Sequence, residues 1–194
     1  HGPKGIGLLV CDSKLSLEPI IHGGNQQDGI RSGTLPVPLI CAMAKAITLT
    51  TERIHEMQDH LGFLNNRLIQ GLYDLNDRLS GLDIRFNSLV VDDLQRQSPS
   101  IVNFSFPPVE GEVLLHHLEE KEIYVGLGSA CSANSKEPSK ILTGIGLSED
   151  EARCSLRISF SGNNTVEDVD LFLKEFARVY EMLYPTFKGK LAKK

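Results

Sequence analysis

From Thr51 onward, apolar residues fall at Ile54, Met57, Leu61, Leu64, Leu68, Leu72, Leu75 and Leu79, in steps of three and four. A chain returns to one face at that interval only when it is helical, so the spacing predicts a long amphipathic helix with its stripe on a core. A helix of this length commonly bridges two domains. A period of two governs residues 101–106, where Val102, Phe104 and Phe106 alternate with Asn103 and Ser105. That predicts a half-buried strand, ended by Pro107-Pro108. Leu156, Ile158 and Phe160 alternate with Arg157 and Ser159, predicting a second strand that sends Arg157 off its polar face.

Residues 6–10 and 123–127 are short apolar runs bounded by turn residues, the pattern of strands covered on both faces. Residues 109–120 read as a helix, and Ser148 with Glu151 has capping-box spacing for a short one. Asn164 with Glu167 suits another helix start, continued by Val166, Val169, Leu173, Phe176 and Tyr180 to the end of the chain. Strands interleaved with helices make an α/β or α+β protein.

Two stretches break these periods. Residues 21–34 turn to Gly, Asn, Gln, Asp and Ser, with Gly23, Gly24, Gly29 and Gly33, so they form a long loop of the kind that serves a site. Its backbone amides, Arg31, Ser32 and Thr34 are equipment for a phosphate. Residues 126–135 are almost all small and surround Cys131, which predicts an exposed loop and a reactive thiol. Cys11, Cys41 and Cys154 sit in apolar or strand patterns and read as small buried hydrophobes. Arg157 can grip a carboxylate with two parallel hydrogen bonds, and a surface salt bridge fits its position equally well.

Composition narrows the partners. The 194 residues are 41% hydrophobic and carry a net charge of -5, enough apolar material for a domain and no field that would draw nucleic acid. The basic cluster Lys188, Lys190, Lys193 and Lys194 reads as a frayed terminus. No run approaches the roughly 20 apolar residues of a membrane span. The four cysteines form no Cys-x-x-Cys pair, which excludes a zinc knuckle, gives no disulfide framework and fits a reducing cytoplasm. The histidines show no metal-site spacing, and Gly2 to Gly7 complete no nucleotide-binding fingerprint. The chain opens at His1 without an initiating methionine, so the native N-terminus, with any targeting signal, is expected to be missing.

Four stretches in order, His1 to Gly7, Gly23 to Thr34, Gly128-Ser129-Ala130-Cys131-Ser132 and Ser155-Leu156-Arg157-Ile158-Ser159, resemble cysteine desulfurases. These are class V aminotransferases among the fold-type I pyridoxal-phosphate enzymes. The resemblance implies the C-terminal part of such an enzyme: residues 1–50 finish the large cofactor-binding domain, and residues 51–194 form a small domain of mostly antiparallel sheet with flanking helices, joined by the long helix. It implies that Cys131 takes sulfur from L-cysteine, leaving alanine and an enzyme persulfide for an acceptor such as an iron-sulfur scaffold or for tRNA thiolation. Arg157 would bind the substrate carboxylate. Thr34, with Arg31, Ser32 and Gly33, would hold the pyridoxal phosphate of a neighbouring subunit, hence a homodimer. The Schiff-base lysine would lie just upstream of His1, so Lys4 is not that residue. The sequence departs from the family at Asn25 and Gln27, and at Gly126-Leu127 before the cysteine. A selenocysteine lyase, another class V relative or a non-catalytic docking module are the alternatives.

Overall fold

The computed structural model describes residues 2–87, 98–127 and 138–191. It divides into two compact units, His1–His55 and Glu56–Lys194. The first holds one helix, α1 (Val37–Glu52), after 35 described residues without regular structure. Pro38 in its first turn suits a helix start, where the missing N–H has no intrahelical partner to lose. Thr48, Thr50 and Thr51 each return their hydroxyl to the carbonyl four residues earlier. The apolar stretch at residues 39–49, too short to cross a membrane, is therefore helical. It was not recognisable because its apolar residues form no stripe, and none of them is buried.

Two expectations fail in this unit. Residues 6–10 form no strand, and Leu8, Leu9 and Val10 are 64%, 72% and 84% exposed. An apolar run states a demand for burial but supplies neither a ladder partner nor a cover, and no strand of the described residues pairs with it. Cys11 and Cys41, expected to be buried, are exposed for the same reason.

The second unit is built on a three-stranded antiparallel sheet, β1 (Arg85–Phe86), β2 (Ile101–Ser105) and β3 (Ser155–Ser159), in that order. Helix α2 (Ile54–Arg78) carries the predicted stripe and buries Leu61, Leu64, Leu68, Leu72 and Leu75. Helix α6 (Val166–Leu191) buries Val169, Phe172, Leu173, Phe176 and Tyr180. Phe176 meets Phe106 edge-on at 5.3 Å and Phe104 at 5.7 Å between ring centres, so α6 closes on the face of β2 that the alternation assigned to the core. Gly71 brings α2 close to α6: a Cβ there would stand 2.2 Å from Leu173 Cδ1. Helix α3 (Gly111–Glu119) adds Leu114, Leu115 and Leu118 to the same core.

The polar face of β2 is also covered, contrary to the half-buried expectation. Asn103 and Ser105 are 9% and 1% exposed, and the Ser105 hydroxyl donates to Glu151 O at 3.1 Å. Glu151 belongs to α5 (Glu149–Arg153), whose Ser148–Glu151 capping box is fully formed. Helix α6 starts one residue later than predicted: Thr165 and Asp168 exchange the capping bonds, while Asn164 Oδ1 accepts from Ser161 N. The expected strand at residues 123–127 shrinks to one bridge at Gly126. Two small elements had no signal, β1 and α4 (Lys140–Gly144), each too short for a period to show.

Candidate active site

Strand β3 places Arg157 between two neighbours. Across β2 its partner is Asn103, and on the other side it forms an antiparallel bridge with Gly126. Arg157 N donates to Gly126 O at 2.7 Å and Gly126 N donates to Arg157 O at 2.9 Å, so both main-chain groups of Arg157 are fixed by one residue. Leu156 and Ile158, on either side, are buried in the core, which forces the arginine onto the opposite face, where it is half-buried. Its guanidinium lies against Gly126: Nη2, Nε and Cζ stand 3.1, 3.4 and 3.5 Å from where a Cβ of residue 126 would be.

Around Arg157 the polar face is knit together. Asn87 Nδ2 donates to Asn103 Oδ1 at 2.7 Å and to Ser105 Oγ at 2.8 Å, and Ser155 Oγ donates to Ala152 O at 2.8 Å. Arg157 enters no ion pair with a carboxylate of the described residues, whereas Arg67, Arg85, Arg153 and Arg178 all do. A guanidinium with a fixed backbone and no counter-ion among the described residues is equipped to take an external carboxylate.

The glycine-rich loop lies in the first unit. Ser32, 4% exposed, donates its hydroxyl proton to Gly24 O at 2.6 Å, and Gly33 N donates to Gln26 Oε1 at 3.0 Å. Arg31 Nη1 donates to Ser32 O. Gly33 has φ +124°, a conformation other residues resist, and a Cβ there would stand 3.2 Å from Arg31 Nη1. Ser32 and Gly33 thus build the loop, and Arg31, which turns one guanidinium nitrogen back onto it, and Thr34 stay exposed, a cation and a hydroxyl that suit a phosphate.

Cys131 and the other residues of 128–137 lie outside the described residues. Arg31, Ser32, Gly33 and Thr34 come together in one loop of the first unit, and Arg157 stands on the sheet of the second. Sequence reading missed the polar neighbours Asn87 and Asn103 and the contact between Gly126 and Arg157. Aligning the two alternating strands antiparallel would have put Asn103 on the face of Arg157, but residue 126 carried no signal.

Other places on the second unit have local explanations. A cavity of about 270 Å³ beside Leu68, Ile123, Val125, Phe160 and Phe172 is mainly apolar. Of its polar members, Asn164 and Asp168 are spent on the start of α6, while Glu122, Tyr124 and Ser159 complete the lining. His116 pairs with Glu119, and His117 Nδ1 lies 2.8 Å from Val113 O. Among the described residues no three His, Cys, Asp or Glu side chains cluster as a metal site, and no helix is long and apolar enough to cross a membrane.

Against this geometry the model of the class-V aminotransferases matches residues 1–172. The chain belongs to the class-V aminotransferase family. It is 37% identical over 179 residues to cysteine desulfurase IscS of Clostridium botulinum (strain Kyoto), spanning 92% of this chain and 43% of that protein. It is 37% identical over 196 residues to cysteine desulfurase IscS of Klebsiella pneumoniae, spanning 97% and 46%. The chain thus spans less than half the length of these relatives. Among solved structures it resembles a NifS-like protein at TM-score 0.75 and 31% identity, over 94% of this chain and 44% of the other. A NifS-like protein of Rickettsia africae superposes at 0.67 with 27% identity, over 86% and 41%. The mixed fold with its small antiparallel sheet is that of these neighbours.

Proposed function

We propose that the full-length protein is a pyridoxal-phosphate-dependent cysteine desulfurase, of which this chain is the C-terminal part. The observation that carries the reading is Arg157, pinned by its backbone and lacking an internal counter-ion among the described residues, in a chain whose relatives are cysteine desulfurases. In this reading Arg157 binds the carboxylate of L-cysteine by two parallel hydrogen bonds and so orients its sulfur. The Cys131 thiolate attacks that sulfur; the carbon–sulfur bond breaks, the carbon takes a proton, and the products are alanine and a persulfide on Cys131. When bound, pyridoxal phosphate supplies the electron sink for that bond cleavage. Arg31 and Thr34 would hold its phosphate, with Ser32 and Gly33 shaping the loop, and Thr34 would serve the neighbouring subunit of a homodimer.

Residues 1–50 would complete the large domain and residues 51–194 form the small one; the division of the chain between His55 and Glu56 supports this. The persulfide would pass to an acceptor such as an iron-sulfur scaffold or a tRNA-thiolating protein, in the cytoplasm. The test is to incubate full-length protein with pyridoxal phosphate and L-cysteine, then measure alanine and map the persulfide. Alanine formation with persulfide at Cys131, both lost in Cys131→Ala, is the expected result. Turnover of selenocysteine that survives Cys131→Ala would instead mark a selenocysteine lyase, and no turnover at all a docking module.

A further inference from the structure

Arg157 lies down on a residue that has no side chain, and that residue is not one the family resemblance assigns to the chemistry. The bridge between Gly126 and Arg157 is made by a pair of mutual backbone hydrogen bonds, 2.7 and 2.9 Å. In an antiparallel pair of this kind directly opposed side-chain positions point to the same face, about 5.5 Å apart at Cα. Any side chain at 126 would therefore rise beside that of Arg157. The three atoms nearest to a Cβ there all belong to the guanidinium, at 3.1 to 3.5 Å. A substitution thus bears on the charged fork. Asn103, opposite on β2, bounds the arginine on its other flank and is itself held by Asn87.

We infer that Gly126 is a positioning residue for the substrate carboxylate: its bare backbone is the floor on which the Arg157 guanidinium rests in its binding pose. The inference rests on the reading of Arg157 as the carboxylate-binding group. Gly126 is not among the glycines with positive φ, so L residues meet no conformational barrier there. Alanine in a strand-like bridge is favoured over glycine by the chain entropy it removes. A Cβ at 126 therefore leaves the fold intact and moves the fork by a few tenths of an ångström. Bidentate hydrogen bonds depend on placement at that scale.

The experiment uses full-length protein loaded with pyridoxal phosphate and compares Gly126→Ala, Gly126→Val and Arg157→Ala. Gly126→Ala should raise the KM for L-cysteine about tenfold with kcat nearly unchanged, and Gly126→Val should raise it further. Calorimetric affinity for L-alanine should fall by the same factor, while affinity for cysteamine, which has no carboxylate, stays the same. Tm should not fall, and a crystal structure of Gly126→Ala should show the guanidinium displaced. Wild-type KM and alanine affinity in Gly126→Ala, alongside loss of both in Arg157→Ala, would overturn the role of Gly126 and leave that of Arg157 standing. Equal losses for alanine and cysteamine would also overturn it. Unchanged alanine affinity in Arg157→Ala would remove the reading beneath it.

Discussion

Among residues 2–55 the one buried residue is Ser32, a polar side chain held by a carbonyl, while Ile20 is 93% and Val10 84% exposed. In the second unit Phe104, Phe106 and Phe176 are all fully buried and touch one another. Apolar residues are plentiful in both. The second unit differs in having helices α2, α3 and α6 and a sheet that share one buried core. Removing apolar surface from water is the dominant favourable term of folding, so the second unit holds its own driving force and the first does not.

The sharpest way to break this contrast is in the aromatic cluster. Phe176→Ala should destabilise the second unit by about 3–5 kcal/mol, seen as a lower urea midpoint, because a ring touching Phe104, Phe106, Phe172 and Tyr180 leaves a cavity. Gly71→Ala overfills instead: with a Cβ 2.2 Å from Leu173 Cδ1, the Leu173 side chain or the two helices must shift, at a cost of about 1–3 kcal/mol by the same measurement.

Ser148→Ala should cost about 1 kcal/mol through loss of the α5 cap. It also has a pH signature. Hydrogen bonds from the Ser148 hydroxyl and backbone N–H, then the Arg85 guanidinium, hold the Glu151 carboxyl below its ordinary range. A carboxylate whose folded pKa is depressed adds stability above its unfolded pKa and loses it as pH falls through the folded value. Acid titration of stability should therefore be shallower in Ser148→Ala than in the parent. The smallest effect belongs to the first unit: Ile20→Ser or Val10→Ser should change the stability of this chain by less than about 0.5 kcal/mol. A larger change would mean that these side chains are buried after all.

The strands at 101–105 and 155–159, the stripe of α2 and the capping box at Ser148 were legible because each obeys a local rule: a period of two, a period of 3.6, or a fixed spacing. Helix α1 was not, since an apolar run without a stripe has no period to read. Half of the candidate site was visible in the same way. The alternation about Leu156 and Ile158 sends Arg157 off the core face. Its lack of a counter-ion among the described residues depends on which carboxylates the fold brings near.

By itself the sequence determined α2, α3, α5, α6, β2 and β3 of the second unit, the core faces of α2, α6 and the two strands, and the placement of Arg157 on a polar face, because side-chain direction follows backbone period. Only tertiary structure decided that residues 6–10 form no strand, that the polar side of β2 is covered by α5, and that the guanidinium of Arg157 rests on Gly126. These are contacts between residues far apart in the chain. They depend on pairing register and on which surfaces meet, and no local period carries that information.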